Sequence, residues 1–148
     1  MQFTRRQLFK SAGAAAVTGV IGSQLSHRAS AHVDIDEEIV ITTGEMFFQQ
    51  EGKAQGEAIR VPANKVVRLV FKNGGTVLHD VHLGKDADLA GRKYNTNLAS
   101  PFDMMELPAG GEAWLTFTFE DAQKGKWEMG CFQLGHYEAG MKAPFIIE

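Results

Sequence analysis

Cys131, His136 and Met141 fall in one run, Gly130-Cys131-Phe132-Gln133-Leu134-Gly135-His136-Tyr137-Glu138-Ala139-Gly140-Met141, with four residues between each pair. A thiolate, an imidazole and a thioether on one short loop offer soft and borderline ligands to a single metal ion. The ion that suits this set best is copper, held by two His and one Cys in a trigonal plane with a weak axial Met. The loop supplies three of these four ligands, so a second His must come from elsewhere in the chain. His79 is the candidate, in the stretch Asn73-Gly74-Gly75-Thr76-Val77-Leu78-His79-Asp80. Cys131 is the only cysteine. A lone thiol cannot form an internal disulfide. Metal ligation accounts for its presence, and an inert buried side chain is the alternative.

The elements that must position these groups are short strands separated by turn chemistry. Strand-like runs cover residues 38–43, 46–48, 58–62, 65–72 and 77–83. Residues 84–107 form a longer irregular connection with a short helix expected around 86–90. From 113 to 119 the pattern alternates, with Ala113, Leu115, Phe117 and Phe119 on one face and Trp114, Thr116 and Thr118 on the other. Trp127, Met129 and Cys131 share a side of the next strand, which points the sulfur inward at one end of the domain. Residues 142–148 close it. Many short strands with turn punctuation predict an all-β, antiparallel sandwich. Gly130, Gly135 and Gly140 each precede a candidate ligand, and glycine lets a short loop turn tightly around an ion.

With the Asn-Gly-Gly turn, the first His, and then Cys, His and Met before the last strand, the chain resembles a cupredoxin, the small blue-copper family. The resemblance covers residues 32–148 and is most specific over 128–147. It implies a Greek-key β-sandwich with one type 1 copper at one pole, the metal ligands being His79, Cys131, His136 and axial Met141. The loop spacing is similar to that of rusticyanin-like members rather than plastocyanins. Asp80 stands where the family often has Asn, a side chain that ties the two ligand-bearing loops together. The family also implies a one-electron carrier and not an enzyme. Its His136 would lie near the surface, with Phe132, Leu134 and Pro144 as an apolar docking patch for a cytochrome, oxidase or reductase. The loop also resembles periplasmic copper-tolerance cupredoxins of the CopI kind, which would bind or buffer copper. Nitrite reductases built from such domains need a second, catalytic copper with more His ligands. His82, three residues beyond His79, is expected to face the opposite way, as a surface residue or one supporting the ligands. Met104 and Met105 are read as packing residues, with an accessory copper site as the other possibility.

The N-terminus reads as an address. Thr4-Arg5-Arg6-Gln7-Leu8-Phe9-Lys10 has the form of a twin-arginine export signal, followed by a mildly apolar stretch and the small-residue site Ala29-Ser30-Ala31. Residues 1–31 are therefore expected to be removed, leaving His32 first and a periplasmic or otherwise extracytoplasmic domain of residues 32–148, without stable membrane insertion. The signal carries four of the 15 Lys and Arg and no acid. The remainder has 11 against 18 Asp and Glu, a net charge of −7. That balance argues against nucleic acid and anionic membranes as partners. About 117 residues make one domain with room for a core, expected to act as a monomer.

Overall fold

The computed structural model describes residues 33–91 and 105–148. The expected export signal, His32 and Met104 lie outside them. The strands among the described residues are β1 (Glu37–Gly44), β2 (Phe47–Gln50), β3 (Ile59–Val61), β4 (Val67–Asn73), β5 (His79–Gly84), β6 (Met105–Leu107), β7 (Glu112–Phe117), β8 (Gly125–Gly130) and β9 (Lys142–Ile147). One helical turn and a half, α1 (Asp86–Ala90), follows β5 where the sequence predicts it. The strands make two sheets, in the orders β2-β1-β4-β7 and β3-β9-β8-β5-β6.

The expected β-sandwich is what the chain forms, with mixed rather than wholly antiparallel sheets. β1 runs parallel to β4, pairing Ile39 with Leu69 and Ile41 with Phe71, and β3 runs parallel to β9. The chain passes from β2 in one sheet to β3 in the other and back to β4. Parallel neighbours therefore arise without a helical crossover within one sheet. Apolar residues at alternate positions make the facing surfaces. Ile39, Ile41, Leu69 and Phe71 of the first sheet meet Val81, Leu83, Met129, Phe145 and Ile147 of the second, all buried. Cys131 and Met141 belong to the same buried cluster, at its end.

Strand β5 departs from simple alternation, because all six of its residues are buried. Val81 and Leu83 enter the core. The other face, with Asp80 and His82, is covered by α1 and by the ligand loop, α1 packing on both β5 and β8. His82 is thus 5% exposed and is no surface residue. Strand parity predicts which face it takes; the cover over that face comes from elements distant in sequence.

Candidate metal centre

His79 opens β5, held there by the turn before it. The buried Asn73 side chain donates through Nδ2 to the carbonyls of Val77 and Leu107, each at 2.8 Å, and its Oδ1 accepts the Gly75 N–H at 2.8 Å. One amide thus closes the Asn-Gly-Gly turn and ties it to β6. Glu45, in the β1–β2 turn, accepts the Thr76 hydroxyl at 2.9 Å and the Thr76 N–H, a second clasp on the same segment.

The other three residues come from the loop between β8 and β9. Gly135 and Gly140 have φ of 81° and 97°, which a side chain rarely tolerates, so both turns need glycine. Gly130 serves another purpose: a Cβ there would sit 2.9 Å from ring carbons of Tyr137. The loop folds back on itself through Met141 N–H to the His136 carbonyl at 2.9 Å and Cys131 N–H to the Met141 carbonyl at 3.1 Å. Met141 is fully buried beside Cys131 in the core cluster.

The fold brings His79, Cys131 and His136 together. The two Nδ1 atoms are 3.3 Å apart, and Cys131 Sγ is 4.0 Å from His79 Nδ1 and 3.4 Å from His136 Nδ1. A triangle with these sides has its centre about 2.1 Å from every corner, close to metal–imidazole and metal–thiolate bond lengths. Three donors that would otherwise repel or stay unsatisfied are therefore already spaced for one ion. His79 and Cys131 are fully buried, whereas His136 is half-buried.

The electrostatics suit a metal more than a free thiol. Burial pushes the Cys131 thiol up to about 11, opposed in part by the Asp80 N–H directed at its sulfur from 3.5 Å. Burial, and then the neighbouring His136, hold His79 below the ordinary histidine value, which favours the neutral form that a metal ligand needs. For Asp80, burial would raise the carboxyl, but the His82 bond and the Phe132 N–H outweigh it and the net shift is downward.

Asp80 does the tying expected at its position, and its partners are more numerous than the sequence reveals. It accepts the Phe132 N–H and the Gln133 Nε2 at 3.0 Å, and pairs with His82 Nε2 at 3.3 Å. His82 in turn stacks on Phe132 with centroids 4.0 Å apart. This clamp grips the loop immediately after Cys131. Of the expected apolar patch, Leu134 is 99% exposed, and Val77 and Leu78 just before His79 are also exposed. Pro144 is placed elsewhere, opposite Glu128 and lining a shallow groove with Asp86, Lys126 and Ile146. Its position on β9, one strand-repeat below the loop, explains the separation. Met105 starts β6, paired with Val81 and packed against the core.

Among solved structures, auracyanin B is similar with a TM-score of 0.58 and 24% identity, over 78% of this chain and 91% of that one. Reduced auracyanin from the photosynthetic bacterium Roseiflexus castenholzii aligns with a TM-score of 0.53 and 22% identity, over 76% and 96% of the two chains. A chain of a heme-copper terminal oxidase dimer aligns with a TM-score of 0.53 and 20% identity, over 75% of this chain and 63% of its own length. At these identities the likeness concerns the fold. No curated protein sequence matches the chain. The sequence profile of the multicopper oxidase family, in contrast, matches residues 28–148. With that profile, the sandwich and a donor set sized for one ion, the chain belongs to the multicopper oxidase family as a cupredoxin-like domain with one type 1 copper site.

Proposed function

We propose that this chain is an exported one-electron carrier in which His79, Cys131, His136 and Met141 would hold copper. The observation that carries this reading is the donor triangle itself, assembled from two separate parts of the chain and already at bonding dimensions. When bound, the copper would supply reversible one-electron chemistry between Cu(I) and Cu(II). The chain's own part is to keep the ligands still and dry. Asn73 and Asp80 secure the two backbone segments, and burial of His79, Cys131 and Met141 excludes water. A site that needs little rearrangement suits electron exchange. His136 reaches towards the surface beside the fully exposed Leu134, which supports contact with a redox protein through a small apolar interface.

Residues 1–31 are read as a twin-arginine signal that delivers the domain of residues 32–148 to the periplasm, acting there as a monomer. Among the described residues no helix is long and apolar enough to cross a membrane. A second reading, binding or buffering of excess copper, rests on the likeness of the loop to copper-tolerance cupredoxins, and the multicopper oxidase profile leaves an oxidase role beside it. The chain has five His in all, and His82 is the only one among the described residues outside the triangle. That supply fits one copper better than a multi-copper catalytic cluster.

The test is to load the mature domain, confirm the thiolate-to-copper band, reduce it and challenge it with a strong Cu(I) chelator. Copper that stays through repeated redox cycles supports the carrier. Ready loss of Cu(I) on reduction would transfer the protein to copper handling.

A further inference from the structure

We propose that Tyr137, Glu128 and Lys142 form a latch that positions His136 and sets how firmly the ligand loop holds its ion. The inference rests on the copper reading of the same site, and concerns residues outside the ligand set.

Each loop ligand has an immediate neighbour that converges on one patch of β8. Gly130 precedes Cys131, Tyr137 follows His136, and Lys142 follows Met141. The Tyr137 hydroxyl donates to Glu128 Oε1, and Lys142 Nζ lies 3.7 Å from Glu128 Oε2. Lys142 Nζ also stands 5.0 Å from the centre of the Tyr137 ring. The ring itself packs against Gly130, where even a Cβ would be 2.9 Å from its Cδ2 and Cε2, and stands roughly perpendicular to the Phe132 ring with centroids 5.9 Å apart. Glu128 is 16% exposed at its side chain, so this carboxylate sits largely out of water.

The loop has two ends to secure. Asp80 and His82 grip it just after Cys131, at Phe132 and Gln133, whereas the half-buried His136 comes further along. Tyr137 is the adjoining residue that does reach the sheet. A phenol bonded to a mostly buried carboxylate is a charge-assisted hydrogen bond, stronger than a neutral one. It fixes the backbone of residues 136–137 against β8, and through it the direction of the His136 ring. Tyr137 is thus a positioning residue. Without its hydroxyl the ring remains packed, but the pivot that keeps His136 aimed at the sulfur is lost.

The decisive variant is Tyr137→Phe, with Glu128→Gln as the conservative partner that keeps an acceptor for the hydroxyl. Three readouts are compared with the wild type: the thiolate-to-copper band, Cu(I) transfer to a chelator, and amide exchange in the metal-free mature domain. Tyr137→Phe is expected to shift the relative intensities of the visible bands, speed Cu(I) transfer about ten-fold, and raise exchange about ten-fold at residues 136–141. Exchange in β4 should stay as in the wild type, and Glu128→Gln should fall between the two. Unchanged bands, transfer and loop exchange in Tyr137→Phe overturn the latch. Equal acceleration in β4 also overturns it, because the hydroxyl would then support only global stability. A wild type that develops no Cys131-dependent band defeats the copper reading, and the exchange data then judge the latch alone.

Discussion

Cys131 combines two properties that pull against each other in the absence of metal: it is fully buried, and its thiol is pushed up to about 11 by that burial. At pH 7 the metal-free side chain is therefore protonated, while a copper ligand must be the thiolate. Loading should release close to one proton from the thiol. His79, held below the ordinary histidine value, adds almost none at that pH. The sign follows: apparent copper affinity rises with pH, by up to about ten-fold per unit below the thiol value. Titration in buffers of different ionisation enthalpy measures this, and no proton release would exclude Cys131 as the thiolate ligand. Cys131→Ser removes the soft donor and should abolish the intense visible band with little change in the fold. A persisting band would mean that the sulfur is not its source.

The turn between β4 and β5 and the loop between β8 and β9 place the ligands, and both depend on a few polar bonds rather than on regular pairing. Asn73 is the clearest case, since its single amide satisfies two carbonyls and one N–H. Asn73→Ala leaves those groups without that partner in a mostly buried setting, at a cost of about 2–4 kcal/mol. Denaturant unfolding of the metal-free domain reads the loss, and copper affinity should fall with it because His79 follows this turn. A loss under about 0.5 kcal/mol would show that water replaces the amide without penalty. The glycines of the loop divide by role. Gly140→Ala meets a φ of 97° and open space, a conformational cost of about 1 kcal/mol, whereas Gly130→Ala meets the Tyr137 ring and should cost more. Unfolding of the two variants side by side separates strain from collision.

Across the whole molecule, the metal pole carries the exposed Leu134, Val77 and Leu78. Leu134→Asp should slow electron exchange with a protein partner several-fold while sparing the visible band and copper retention, since the Leu134 side chain is almost wholly exposed. Stopped-flow exchange with a c-type cytochrome or an isolated oxidase checks it. Rates equal to the wild type with each partner would remove Leu134 from the interface. Phe145→Ala tests the other end of the scale. Phe145 is fully buried, its ring tilted against Phe119 with centroids 5.9 Å apart, and its loss should cost about 3–5 kcal/mol without altering the ligand bonds directly.

The candidate donors and their order were legible in the sequence because a lone Cys, a His and a Met at fixed spacing restrict the chemistry before any fold is known. Strand faces were legible for the same reason: a period of two in β7 and β8 is a local property, and Phe119, Met129 and Cys131 lie where it puts them. Asn-Gly-Gly likewise announced a turn ahead of His79. Other features depended on which distant segments the sandwich brings together. Parity placed His82 on the outer face, but α1 and the ligand loop, distant in sequence, make that face an interior, with His82 paired to Asp80 and stacked on Phe132. Pro144 is near His136 in sequence yet lies down the sheet, because β9 runs away from the pole at once. Glu128 and Tyr137 carried no motif, and they meet only because the loop doubles back over the strand that leads into it. The sequence by itself determined which atoms can hold the ion. The tertiary structure decided how far apart they stand and what holds them there, since those distances come from contacts between residues up to 57 positions apart.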